Sequence, residues 1–451
     1  MYSFLREPKL RSLHILFIWL YVISLFNDLF EVDYGFTLNL HQIIALLYFP
    51  ATIKELSRNR PLKSILKYFI LEWRYLLLLA IIFGIIIPWE YKDEYRTFSQ
   101  KALGRSFISL IRIFLEYLSI IIPLIWIRHK LITIDKLFKI ISFIVIFTVI
   151  VAVIDVLIGY KLRLIFPNAR LIEGRFMALN GEPRVFGAVM LFGNLLLYYL
   201  RTISKSKIYF VAYISTFIGI VLSNSASAII VLITVSLALN IIFSTFNKIV
   251  LLPILIILIV ALNVDDTLNY FVKNNYLSKT TVVKIEIVFG KDEKTAIYGK
   301  NNFDEPDVFK RFEVFDRAAL NYLWNNPLFI FIGTGPNLIS IPASAYIDSY
   351  AKLIYKDVIN SVPHTFVINL LARSGIIGLF TILILFFNDF RKKLINVGLD
   401  KEKLLFYKLF FINLMIHTPL FFFILGIIVV IYLKKIDVIN RNTHIKLSSV
   451  H

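Results

Sequence analysis

The 451-residue chain contains no cysteine. Disulfides and thiolate-held metal sites are therefore excluded, and the redox compartment is left open. Its seven histidines show no metal-ligand spacing. Acidic residues are scarce, 30 against 49 Lys and Arg, for a formal net charge of +19. No internal repeat is visible of the kind that marks many secondary transporters. The N-terminal stretch "MYSFLREPKLRSLHILFIWLYVISLF" has a basic start and an apolar core, but no small-residue cleavage site follows before "NDLFEVDYG". It reads as the first, uncleaved span.

What the chain has in excess is apolar surface. Hydrophobic residues make up 58% and aromatics 15%, against roughly 45–50% apolar in soluble domains, and the mean hydropathy is +0.75. Continuous apolar windows of about 20 residues match a bilayer core, which only helices or closed barrels can cross. The runs are not alternating, so an all-α polytopic membrane protein is expected. About twelve spans are read, near 13–30, 36–53, 71–89, 106–127, 137–159, 184–200, 208–222, 226–243, 249–263, 364–387, 404–416 and 419–433. The chain then divides into spans one to nine (1–263), one large loop (264–363), and spans ten to twelve with a tail (364–451).

Lys and Arg in short loops set orientation. "KELSRNRPLK", "RHKLITIDK", "RTISKSK" and "RKKLINVGLDKEK" fall on alternate loops together with both termini, which places all of them in the cytoplasm. This distribution accounts for the net charge without nucleic acid. The loop 264–363 then lies outside, with 11 Lys/Arg against 12 Asp/Glu. A second outer segment, "YKLRLIFPNARLIEGRFMALNGEPR", breaks the rule. It carries Lys161, Arg163, Arg170, Arg175 and Arg184 against Glu173 and Glu182. Cations placed there point to an anionic ligand; anchoring to anionic headgroups is the plainer alternative.

Pro183 suits the first turn of a helix, so Arg184 is expected at the outer mouth of span six. A cation does not stabilise that end of a helix, but an anion shared between the guanidinium and the free amides would. "SVPHTFVINLLARSGIIGLF" repeats the design, with Pro363, His364 and a capping Ser361 at span ten. Two such mouths on one face suit a diphosphate, and His364 can accept a proton near neutral pH. An interfacial histidine is the alternative. In the large loop, "DVFKRFEVFDRAALNYLW" has helical spacing with Arg311 and Arg317, and fits an amphipathic helix on the membrane surface. "GTGP" is a turn at Gly333 and Gly335 that would let backbone approach a ligand; it lacks the Lys/Ser signature of a phosphate loop. Arg112 and Glu116, four apart in span four, read as an interior ion pair that fixes packing. Asp155 lies near the cationic mouth, where it would orient an arginine or accept a proton. Ser223, Ser225 and Ser227 in "LSNSASAII" read as turn and cap residues.

The ordered set "GRFMALNGEPRVFGAVMLFGN", "NPLFIFIGTGPN" and "PHTFVINLLARSGIIG" resembles the bacterial O-antigen polymerase and O-antigen ligase superfamily over about residues 170–390. That resemblance implies a C-type membrane glycosyltransferase fold in the bacterial inner membrane. It implies an external active site working with no cofactor, neither a metal nor a nucleotide-sugar. The implied partners are an undecaprenyl-diphosphate-linked glycan, a lipid-linked acceptor sugar, membrane lipids and a chain-length regulator. By the same resemblance Arg184 holds the lipid diphosphate, His364 matches the histidine after the large loop, and Arg311 and Arg317 fit the loop arginines. Arg170, Arg175, Glu182 and Asp155 complete the expected binding set. One departure is "NSASA", where the family often has a Ser-Arg pair and this chain has Ala226 or Ala228 beside its serines. A polymerase is the first expectation, a ligase acting on lipid A core the second, and a lipid-linked-glycan flippase the alternative of another class.

Overall fold

A computed structural model describes residues 11–27, 32–33, 37–86, 101–158, 183–223, 225, 228–229, 231–232, 314–347, 363 and 365–448. Helices dominate these residues. In chain order they are α1 (Arg11–Phe26), α2 (Leu40–Leu47), α3 (Phe49–Arg58), α4 (Arg60–Ile86), α5 (Ala102–Leu118), α6 (Ile122–Arg128), α7 (Ile134–Leu157), α8 (Pro183–Ile203) and α9 (Lys207–Ser223). After these come α10 (Val314–Asn325), α11 (Pro327–Ile332), α12 (Phe366–Leu379), α13 (Phe387–Asn396), α14 (Asp400–Met415) and α15 (Leu420–Ser448), with a π-type stretch Phe380–Phe386 between α12 and α13. The strand content described is a two-residue antiparallel ladder, Val32–Asp33 against Thr37–Leu38.

Five of these stretches are long and apolar enough to cross a bilayer: Arg60–Ile86, Ala102–Arg128, Ile134–Asp155, Arg184–Ile203 and Phe366–Asn396. The expected span at 36–53 is instead two short helices, α2 and α3. They meet at Tyr48, because Pro50 near the start of α3 has no N–H to continue the ladder. The same cause divides α5 from α6, where Pro123 opens the second piece. Expected spans 226–243 and 249–263 lie almost wholly outside the described residues.

Lipid-facing stripes are visible on several helices. Leu71, Leu78, Ile82 and Ile85 of α4 are exposed, as are Phe143, Phe147, Ile150 and Ile154 of α7 and Phe210, Ile214, Ile218 and Val221 of α9. Apolar residues exposed at helical spacing suit a hydrocarbon solvent. The opposite faces build one large core around Tyr21, Tyr48, Trp126 and Phe423. The Tyr21 ring meets Trp126 edge-on at 5.2 Å, and its hydroxyl donates to Ser119 Oγ at 2.7 Å. Asn27 Nδ2 donates to Thr148 Oγ1 at 3.1 Å and Asn194 Nδ2 to Thr216 Oγ1 at 2.9 Å, two polar pairs that link helices.

The loop after α6 is fixed to α3 by charge. Arg128 Nη1 lies 2.6 Å and His129 Nε2 3.7 Å from Glu55, a carboxylate only 6% exposed. Burial alone would raise the Glu55 pKa, but the bond from His129 and the charge of Arg128 outweigh it and hold the group below its ordinary value.

Glycines set the closest approaches. A Cβ at Gly187 of α8 would meet Ser223 Oγ at 2.7 Å and Ser225 Cβ at 2.9 Å. A Cβ at Gly426 of α15 would run into the carbonyl of Ile120, in the break between α5 and α6. Backbone cannot yield there as a side-chain tip can. Gly426→Val is therefore expected to cost about 1–3 kcal/mol as an overpacked contact, read as a lower thermal unfolding midpoint of the detergent-purified protein. An unchanged midpoint would show that α15 does not pack on Ile120 this closely.

Candidate active site

Two groups of polar residues stand out against the apolar helices. The first is fully inside the bundle. Arg373 of α12 donates to Glu72 Oε1 of α4 from Nε at 3.2 Å and from Nη2 at 2.8 Å. Tyr117 of α5 donates its hydroxyl to the other oxygen of Glu72. The two charged side chains are 9% and 0% exposed. Phe366 lies under the guanidinium at 5.6 Å, and its ring stacks on His417 at 4.9 Å. His417 in turn bonds Glu116 Oε2 at 3.2 Å and Asn413 Oδ1 at 2.9 Å. The spacing of span four led to Arg112 as the partner of Glu116; the carboxylate meets His417, 301 residues away. A small cavity beside this network is lined by Glu72, Tyr117, Phe366 and Asn413 among phenylalanines.

The helix that carries Arg373 is broken beside it. Gly375 has φ +61° and ψ −164°, outside helical geometry. The carbonyls just before such a break need other donors, because lipid offers none. The "GTG" turn supplies them. Thr334 donates to the Ala372 carbonyl from its N–H at 2.8 Å and from Oγ1 at 2.9 Å, and Gly335 N–H donates to the Arg373 carbonyl at 3.0 Å. Gly333 and Gly335 hold φ of +79° and +92°, and a Cβ at Gly333 would sit 2.6 Å from the Arg373 carbonyl oxygen. The expected turn is thus present, and its close backbone approach is to α12. Tyr75 of α4 donates to the Ile332 carbonyl at 2.7 Å and closes the third side.

The second group lies where the large segment returns to α12. Helix α10 was expected to lie as an amphipathic surface helix. Its polar residues Asp316, Arg317 and Asn321 are buried instead, and Phe315, Ala318, Ala319 and Leu323 pack with Ile339, Ala343, Ile368 and Ala372. Asp316 accepts two bonds from Thr365, from its N–H at 3.1 Å and from Oγ1 at 2.6 Å. Thr365 is the N-cap of α12, which begins at Phe366, so Pro363 precedes the helix and does not open it. Asn369 Nδ2 donates to the Pro363 carbonyl at 3.3 Å. Nearby, Arg105 of α5 donates from Nη1 to Ser340 Oγ at 3.0 Å.

Of the residues expected from sequence, Arg184 sits second in α8, which does begin at Pro183. It is partly buried, three residues before Gly187, whose near neighbours are Ser223 and Ser225. Those serines act as turn and cap groups: Ser223 Oγ accepts from Ser225 N–H at 3.2 Å, and Ser225 Oγ from Ala228 N–H at 3.4 Å. Asp155 is buried near the end of α7, and Arg317 is buried in α10. His364, Arg170, Arg175, Glu182 and Arg311 lie outside the described residues, as does Ser227. Among the described residues no cluster of three or more His, Cys, Asp or Glu side chains could hold a metal ion. Sequence reading missed Glu72, Tyr117, Arg373, His417 and Asp316. A charge inside an apolar span was the available signal for Glu72 and Arg373.

The described residues form a helical membrane protein in which residues 314–347 dock on a broken helix through the bonds of Thr334 and Gly335 and those of Asp316, while a buried ion pair ties that helix to α4. Residues 211–383 match the family model described as O-Antigen ligase. The match runs through α9, the large segment and the broken helix. It supports the O-antigen ligase/polymerase superfamily, whose members are membrane glycosyltransferase-like enzymes. No curated protein matches the chain.

Breaking the buried pair leaves one uncompensated charge. Arg373→Met alone and Glu72→Gln alone are each expected to cost about 3–5 kcal/mol, and the double variant less than their sum. Thermal unfolding in detergent checks this; single variants with the midpoint of the unsubstituted protein would remove the pair from the account of the fold.

Proposed function

We propose that the protein is a polysaccharide polymerase of this superfamily. It transfers a glycan from undecaprenyl diphosphate onto a lipid-linked repeat unit at the outer face of a bacterial inner membrane. Both termini lie in the cytoplasm, and the segment 264–363 lies outside. The observation that carries this reading is the family match, because it covers both the large segment and the Arg373–Gly375 break on which that segment docks.

In this reading a hydroxyl of the acceptor sugar attacks the anomeric carbon, and the bond from that carbon to the diphosphate oxygen breaks. The hydroxyl proton passes to His364. The electron pair leaves with undecaprenyl diphosphate, whose growing negative charge is held by Arg184 at the mouth of α8. Such charge stabilisation lowers the barrier only to the extent that it strengthens in the transition state. Arg170, Arg175, Arg311 and Arg317 add cations to the diphosphate site, and Glu182 and Asp155 orient them. No step in this sequence calls for a metal.

The second reading is a ligase, favoured by the description of the matched family, with lipid A core as acceptor. Purified protein given undecaprenyl-diphosphate-linked repeat units as its one substrate separates the two. A ladder of products is expected, with Arg184→Ala lowering its rate about 100–1,000-fold and His364→Ala about 100–10,000-fold. Modification of added lipid A core without a ladder would replace polymerase by ligase. Absence of transfer to either acceptor would move the assignment to transport of the lipid-linked glycan.

A further inference from the structure

We infer that the end of the bundle where α8 meets α9 and α14 binds an anionic phospholipid. Its headgroup rests on a cluster of Arg201, Lys408, Tyr198 and Tyr213, and its acyl chains run along α9. The two cations reach one pair of rings from different helices. The Lys408 ammonium of α14 lies 4.7 Å from the centre of the Tyr198 ring. The Arg201 guanidinium of α8 lies 5.0 Å from that of Tyr213 and 4.7 Å from that of Phe210. Tyr198 and Tyr213 themselves meet at 6.1 Å. The cluster is at the opposite end of α8 from Arg184, so it is no part of the transfer site proposed above.

A ring face offsets a cation only in part. Three acids on the neighbouring helices are otherwise engaged: Glu402 accepts from Tyr199 at 2.5 Å, Asp400 from Lys403 at 2.8 Å, and Asp135 from Lys139 at 2.8 Å and Tyr209 at 3.2 Å. Among the described residues Arg201 and Lys408 have no carboxylate partner, and exposed Lys205 and Lys207 add charge where α8 turns into α9. The hydroxyl of Tyr213, a residue only 6% exposed, has no acceptor among the described residues, nor has that of Tyr198. A cation in the last turn of α8 suits the helix dipole, which accounts for Arg201 alone. It does not account for Lys408, well inside α14. Phe210, which Arg201 covers, also begins an exposed apolar stripe that continues on α9 through Ile214, Ile218 and Val221. A free phosphate would use the cations and leave that stripe bare. A phosphate carrying acyl chains matches both, as basic pockets between membrane helices do for anionic headgroups.

The test uses the full chain purified in detergent, stripped of lipid and titrated with phosphatidylglycerol, phosphatidylcholine or inorganic phosphate. Bound ligand is counted by native mass spectrometry, a readout that does not depend on the transfer reaction. Phosphatidylglycerol is expected to bind about 10-fold more tightly than phosphatidylcholine, and Arg201→Gln and Lys408→Gln each to weaken it about 5-fold. Tyr213→Phe keeps the ring under Arg201 and removes the hydroxyl; it is expected to weaken binding with an unmoved unfolding midpoint, which separates lost binding from a failed fold. Lys392→Gln, which removes an exposed charge from α13, is expected to leave the affinity unchanged. Equal affinity for the two lipids overturns the inference, as does a loss in Lys392→Gln equal to that in Arg201→Gln. Inorganic phosphate bound as tightly as phosphatidylglycerol would replace the lipid by a soluble anion and overturn it as well.

Discussion

A guanidinium and a carboxylate inside a bundle whose outer faces meet lipid have nowhere to go but to each other. Arg373 and Glu72 solve that problem jointly, with Tyr117 donating to the oxygen that Arg373 leaves free. The solution requires α4, α5 and α12 to stand at fixed heights and rotations, since neither charge can be moved out of register without being stranded. Around that triad the remaining geometry follows. Phe366 lies against the guanidinium, His417 against Phe366, and Glu116 against His417, so a line of ring and charge contacts reaches from α4 to the residues ahead of α15.

The docking of the large segment depends on the same place. Arg373 offers its side chain to α4 and its carbonyl to Gly335, so one residue faces both the membrane bundle and the segment that follows α11. Helix α10 then reaches the start of α12 through Asp316. The segment is bound at two levels of one helix, at its N-cap and at Ala372 and Arg373 further in. The family match, which begins in α9 and ends just past this helix, includes both of these levels.

Much of this was legible in the sequence at the level of class. Continuous apolar runs pointed to a helical membrane protein, and Pro183 does open α8. The helix around Arg317 was also found, but its surroundings were not. Spacing showed which residues share a face, and it could not show that the face bearing Asp316 and Asn321 turns inward onto Ile368 and Ala372. The same limit explains Glu116. An acceptor four residues from an arginine looks locally paired, whereas its partner sits beyond the large segment. Arg373 stands in the stretch "PHTFVINLLARSGIIG", but a lone cation in an apolar run gives no hint of a glutamate 301 residues earlier. Prolines at 50, 123 and 363 were visible too, but whether a proline opens, breaks or precedes a helix is decided by which carbonyls find other donors.

The break at Gly375 bears on how such a protein enters a membrane. Taken alone in lipid, the α12 sequence has a lower-energy choice, a continuous helix in which every carbonyl meets an N–H of its own chain. Glycine allows that form as readily as the one with φ +61°. The opened form becomes favourable only when Thr334 and Gly335 are already alongside to bond the Ala372 and Arg373 carbonyls. The bend therefore belongs to the assembled protein and not to the segment. An insertion machinery that releases α12 as a straight helix hands the final shape of this site to a later step, completed by an earlier-made part of the same chain.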